Sequence, residues 1–391
     1  MGKEDVARAP LSWPTTVFIV STTLVAAAWP VYAYFYGVTA AQIALALAYY
    51  VATGMSITVG YHRMVSHRAF RCQPWLEALF LAFGAAAWQG SALDWAADHV
   101  RHHSYTDTRR DPYNIKQGFW HAHIGWLFRH HQAASPPAFL TSNKLIMLQD
   151  RYYVPLAVTV SFVIPYLLAG TGGLLLAGVL RLVVVHHTTW FINSWAHVGR
   201  RRPYDPDISA ADNWFLSFFT FGEGFHNYHH SFPSDYRNGV SPWAWDPSKW
   251  LIWALSKIGV AYDLKRIESV TQWKRRVRSA IEHVPDAGDK FARLRLTRAS
   301  LERQIERSRV RLAKVLDRDR RFEAPTRQEL RDEIEELRAR LSQAIHDATQ
   351  AITAASRARL ERARAMLDNL AAYQAMLEQL AAHEASLAAT A

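Results

Sequence analysis

Cysteine is nearly absent, with Cys72 the single one in 391 residues. One thiol excludes an intrachain disulfide, a CxxC redox pair and a thiolate metal cluster, and it fits working parts that face a reducing compartment. Charge is missing over longer stretches. No Asp, Glu, Lys or Arg stands between Arg8 and Arg63, a gap more than twice the roughly 20 residues that cross a bilayer. A second gap runs from Tyr152 to Gly199, broken only by Arg181. What is abundant is aromatic: 15 Trp, all but one before residue 260. The formal charge of +11 and pI near 9.7 come from basic residues flanking apolar runs and lining a charged tail, a pattern for a membrane surface and not for nucleic acid.

Each uncharged gap holds two spans. Residues 15–36 and 40–59 form one hairpin around Gly37, Val38 and Thr39, and residues 152–169 and 173–193 form another around Gly170, Thr171, Gly172 and Gly173. The turns carry no basic residue, whereas Arg63 to Arg151 and the chain after Arg200 are rich in them. Positive charge stays in the cytosol, so both termini and these segments are expected there. The first run has no small-residue cleavage site and is followed at once by a second span, so it reads as retained membrane. Trp75 to Trp88 is shorter and suits a buried or interfacial helix. Arg181 inside a span needs water, a carboxylate, backbone carbonyls or a path to the interface.

Histidine carries the strongest signal. Of 18 histidines, 15 precede residue 231, and nine fall at ligand-like spacing. His99, His102 and His103 stand at i, i+3, i+4, as do His226, His229 and His230, which on a helix makes one patch of imidazoles. His62 and His67 are five apart, about 140° around a straight helix, so they would meet a metal from a helix end or converge from two sides. His197 follows Asn193 by four, at the cytosolic end of the fourth span. The topology puts all four groups on one side of the membrane. Nine ligands exceed one ion, and four and five apiece would serve two while leaving room for water or oxygen. A structural zinc site has four ligands and no vacancy. Imidazole suits Zn, Cu, Fe and Ni alike.

The segments HRMVSH (62–67), HVRHH (99–103), NSWAH (193–197) and GEGFHNYHHSFP (222–233), with Asp98, Asp111, Pro112 and RPYD (202–205), resemble the stearoyl-CoA (acyl-CoA) desaturase family. The resemblance covers about residues 12 to 263. It implies an all-α integral membrane fold of four transmembrane helices with a cytosolic helical cap that carries the histidine boxes. It also implies two iron ions and an oxygen-dependent oxidoreductase that places a cis double bond in a saturated acyl chain, usually at the ninth carbon. The ligands would be His62, His67, His99, His102, His103, His197, His226, His229 and His230, with Asn193 acting through a bound water. Gln89, Trp95, Thr189 and Trp190 would line and bend the acyl tunnel.

Some positions depart from the family pattern. Ala97, His130 and His131 replace basic contacts to the CoA head, so CoA, a carrier protein or a lipid remains open as the acyl carrier, with Lys116 and Arg129 as nearby cations. His121, His123, His186 and His187 read as supporting or interfacial groups. The sequence has no cytochrome b5 heme signature, no GxGxxG loop and no cysteine quartet, so cytochrome b5 or ferredoxin with its reductase would supply electrons. A histidine-box acyl or alkane hydroxylase is the alternative enzyme, and a histidine-lined metal transporter or sensor the alternative without catalysis. Beyond the 1–263 domain, residues 264–391 turn to Ala, Leu, Glu, Arg and Gln, with no Gly after Gly288 and no Pro after Pro325. Leu330, Ile334, Leu337, Leu341 and Ile345 make a stripe that predicts a helical hairpin or coiled coil and association through it.

Overall fold

The computed structural model describes residues 10–129 and 134–268, with residues 271, 272, 275, 276 and 279. The predicted tail helices, and His130 and His131, lie outside the described residues. The chain divides into two compact units, Met1–Ile267 and Glu268–Ala391. The first is mostly helical, and among its described residues three helical stretches are long and apolar enough to cross a membrane: α1 (Trp13–Tyr36), α2 (Ala40–Ser66) and a stretch over Tyr153–His197. Gly37, at φ 72°, ends α1, and its N–H bonds the carbonyl of Ala33. Thr39 and Gln42 then form a reciprocal capping box that starts α2, satisfying backbone donors that would otherwise be orphaned. Leu24 in α1 and Leu47 in α2 are 65% and 62% exposed. Such side chains lose about 1.5–3 kcal/mol each in water, and lipid removes that cost.

The segment 40–66 runs further than the sequence predicts. Its last part, Ser56–Ser66, winds as a π-helix with every residue buried. The short strand β1 (Arg71–Cys72) follows, then α3 (Pro74–Ala85) and α4 (Ala92–Tyr105). At 12 residues α3 is about 18 Å long, short of a bilayer core of about 30 Å. Gly84 of α3 has no side chain where the ring of Tyr61 lies, so the two helices close on each other. Val59, Tyr61, Phe70, Leu76, Phe80, Ala96 and Ile252 form the core that joins these elements.

The stretch over Tyr153–His197 breaks at Ala169 (φ −144°, ψ 20°) and Gly170 (φ 62°, ψ −156°), within a residue of the predicted turn. Its arms fold back on each other. Gly173 and Gly178 lie against the carbonyls of Pro165 and Ser161, and Arg181 reaches the Ser161 hydroxyl at 3.4 Å. We label the arms α5 and α6, before and after Gly170. Arg181 takes the backbone-carbonyl solution: its Nε donates to Ala177 and its Nη1 to Ala86, at 2.8 and 2.9 Å.

After α6 come α7 (Trp214–Phe219), α8 (His226–Ser231), α9 (Pro247–Lys257) and β2 (Ala261–Tyr262). Strand β2 pairs antiparallel with β1, Arg71 opposite Tyr262. The anchoring continues past residue 263, because Lys265 N–H donates to the Ala69 carbonyl and Ile267 N–H to Asp235, at 2.8 and 2.9 Å.

Candidate metal centre

The π-helical turn explains the first histidine pair. Bonds from residue i to i+5, such as His67 N–H to the His62 carbonyl at 3.1 Å, stack residue i+5 over residue i. The two rings lie 4.9 Å apart between centroids, where an α-helix would splay them. Helix α4 contributes His99, His102 and His103, the end of α6 His197, and α8 His226, His229 and His230.

The nine rings gather as two groups. His62, His67, His99, His103 and His229 form one, and His102, His197, His226 and His230 the other; within each, one ligand atom per residue lies within 4.8 Å of all the rest. The Nε2 atoms face one another: His62 to His229, His67 to His99, His103 to His229 and His197 to His226, all at 2.9 Å, and His226 to His230 at 3.1 Å. Two nitrogens bound at right angles to an ion about 2.1 Å away would stand ~3.0 Å apart. Burial, then the crowding of neighbouring imidazoles, pushes His99, His103, His229 and His230 well below the usual histidine range and His226 down to about 3. Neutral rings are the form a metal needs.

Partners on the far side of several rings orient them. His62 Nδ1–H donates to Glu223 Oε2 at 2.9 Å and His102 Nδ1–H to Asp111 Oδ1 at 2.8 Å. Each carboxylate holds the Nδ1–H tautomer and turns the Nε2 lone pair inward, the outer-shell arrangement typical of metal-bound imidazole. Lone pairs aimed at one another in a buried space fit a cation between them. Glu223 is itself gripped by Arg63 Nη2 at 2.9 Å and Asn238 Nδ2 at 2.7 Å. Burial alone would raise its carboxyl, but the contacts with His62 and the Arg63 guanidinium hold it at about 2.

A largely apolar cavity of about 600 Å³, open mouth included, adjoins both groups. Ile57, Trp95, Val185, Thr189, Asn193 and Phe221 are in its wall, so of the sequence-predicted tunnel residues Trp95 and Thr189 face it, with Asn193 beside them. Gln89 sits behind, donating to Thr189 Oγ1 at 2.9 Å and accepting from Trp95 Nε1 at 3.2 Å. Trp190 is outside the lining and stacks on His186 at 4.9 Å. His186 bonds the Ala87 carbonyl, and His123 pairs with His187 at 3.0 Å. None of these three, nor His121, belongs to either imidazole group. Sequence reasoning passed over Glu223, Thr106, Asp107 and Ser209, and also Tyr113, whose hydroxyl lies 3.4 Å from His99 Nδ1. Glu223 had a signal, because it stands inside the GEGFHNYHHSFP segment.

Apolar helices of membrane-crossing length and two groups of buried or half-buried imidazoles beside a largely apolar cavity define a helical membrane protein with a histidine-rich site. The family model described as "Fatty acid desaturase" matches residues 38–246, just over half the chain, and the chain belongs to that family. It is similar to "Probable acyl-CoA desaturase" of Schizosaccharomyces pombe, 44% identical over 229 residues, 56% of this chain and 48% of that protein. "Acyl-CoA desaturase 1" of Saccharomyces cerevisiae is 41% identical over 228 residues, 56% and 45% of the two chains. "Stearoyl-CoA desaturase 2" of Mus musculus is 37% identical over 236 residues, 57% and 66%. The aligned chain spans about half the length of the two fungal relatives.

Proposed function

We propose that this chain is a membrane di-iron acyl desaturase that places a cis double bond, at the ninth carbon, in a saturated fatty acyl chain carried on a thioester or lipid. The observation that carries the reading is the division of nine imidazoles into five and four, each group converging on one point beside an apolar cavity. The arms α5 and α6, with α1 and α2, would make four crossings, and the charge pattern of the loops favours a cytosolic side for cage and termini.

His62, His67, His99, His103 and His229 would hold one iron, and His102, His197, His226 and His230 the other, with Asn193 completing the smaller set through a water. The iron pair, when bound, supplies the oxidising power by which O2, two hydrogens of adjacent methylenes, two external electrons and two protons become two waters and a double bond. The protein's share is placement. Trp95 and Thr189, braced by Gln89, shape the wall beside His99 and would hold two neighbouring methylenes against the cage. Ile57, Val185 and Phe221 exclude water from that wall. Cytochrome b5 or ferredoxin with its reductase would supply the electrons.

The test is mass spectrometry of the product after the full-length chain, in membranes, receives a saturated acyl donor, O2 and a reductant. Loss of two hydrogens is expected. Gain of one oxygen would make it a hydroxylase, and metal flux without oxygen consumption would remove the enzymatic reading.

A further inference from the structure

The groups that orient the imidazoles are divided unevenly between the two cages. In the four-histidine group, His102 donates to Asp111, and Thr106 Oγ1 lies 3.4 Å from His230 Nδ1. His197 Nδ1–H donates to Ser209 Oγ at 2.6 Å. The Ser209 hydroxyl in turn donates to Asp107 Oδ1, and the Ser209 backbone N–H donates to Asp107 Oδ2 at 2.6 Å. Thr106, Asp107 and Asp111 belong to the single turn that leaves α4. Three of the four rings in this group are therefore reached from that turn, one of them through Ser209. His62 of the other group is oriented from elsewhere in the chain, by Glu223.

Asp107 adopts φ 64°, a left-handed conformation that a short polar side chain tolerates better than most. There it spends both carboxylate oxygens on Ser209. The serine proton must then point at the carboxylate, which leaves the hydroxyl lone pair for the His197 N–H. That fixes His197 as its Nδ1–H tautomer, with the Nε2 lone pair turned to His226 Nε2 at 2.9 Å.

We propose that Ser209 and Asp107 are positioning residues whose two-bond relay sets the ring angle and tautomer of His197, so that metal binding by the four-histidine group depends on the turn at residues 106–111. The inference rests on reading the two groups as paired metal sites. Without the hydroxyl, His197 is free to rotate or to protonate at Nε2, and either change removes one of only four imidazoles. Loss of such outer support costs about 10–100-fold in metal affinity.

The experiment is a Co2+ titration of the metal-free full-length chain in detergent, followed by visible absorption and by metal content. Wild type is expected to take up two equivalents. Ser209→Ala and Asp107→Ala should bind one equivalent as wild type does and the other about 10–100-fold more weakly. Ser209→Thr keeps the hydroxyl and should stay within about threefold of wild type. Two unweakened equivalents in Ser209→Ala would overturn the relay. So would equal weakening of both equivalents, which is a general structural loss, or a Thr variant as weak as the Ala variant, which makes Ser209 a packing residue. Fewer than two equivalents in wild type would instead remove the paired-site reading and the relay with it, an outcome told apart from failure of the relay alone.

Discussion

Removing the Arg63 side chain should destabilise the fold far more than its surface-like chemistry suggests. The guanidinium is 1% exposed and lies between Glu223, at 2.9 Å, and Asp246, at 3.0 Å, which are 3% and 0% exposed. It also donates to the Tyr236 carbonyl at 2.8 Å. Arg63→Met retains the apolar stem but strands two buried carboxylates. Breaking a buried pair from one side costs about 3–5 kcal/mol, because the remaining charge has lost its counterion. Asp246 keeps backbone N–H donors from Asn238, Gly239 and Lys249, so most of the cost falls on Glu223. Adding Glu223→Gln removes that stranded charge, and Arg63→Met in this background should cost about 1–3 kcal/mol less than in wild type. Denaturant unfolding of the metal-free chain in detergent measures all four corners of the cycle without contribution from bound metal. A cost under about 1 kcal/mol for Arg63→Met, or additivity within about 0.5 kcal/mol, would refute this account of the buried network.

Acid gives a second view of Glu223, whose carboxyl is depressed to about 2 from an ordinary value of 4.5. Its stabilisation is present above about pH 4.5 and is lost as pH falls toward 2, so Glu223→Gln should flatten the acid limb of a metal-free stability profile over that window. His230→Ala should abolish turnover and lower bound metal from two equivalents toward one, because no spare imidazole on α8 can replace it; full activity with two metals would contradict the assignment. Trp95→Ala, which enlarges the cavity beside His99, should scatter double-bond position or slow turnover by about tenfold or more through lost alignment. An unchanged rate and a single product isomer would make Trp95 a packing residue. Ending the chain after Ile267 should leave a folded, metal-binding protein with altered oligomeric size, measured by light scattering; lost turnover with the natural electron donor alone would make the tail a docking element.

Charge patterning alone located the apolar stretches, because a buried charge in lipid is too costly to place casually. Histidine spacing alone picked out six of the nine imidazoles, since the i, i+3, i+4 repeats at His99, His102 and His103 and at His226, His229 and His230 put rings on one helix face whatever surrounds them. The chain reversal was likewise visible in Gly170, a residue free to take the φ of 62° that the break requires. Other features needed the folded chain. His62 and His67 share a side only because the end of α2 winds as a π-helix, and no local propensity marks where an extra residue enters a turn. The division into five and four, with His99 and His103 on one side and His102 on the other, depends on how α4 is rotated against α2 and α8. Trp190 left the cavity wall for His186 by the same kind of rotation. Asp107 and Ser209 stand 102 residues apart in the chain, and two ordinary polar residues carry no mark of each other until packing brings them into hydrogen-bond reach. Periodicity reports which residues share a face of one helix. Which faces meet is settled by side-chain volume and by the need to satisfy every buried polar group, quantities that belong to the assembled structure.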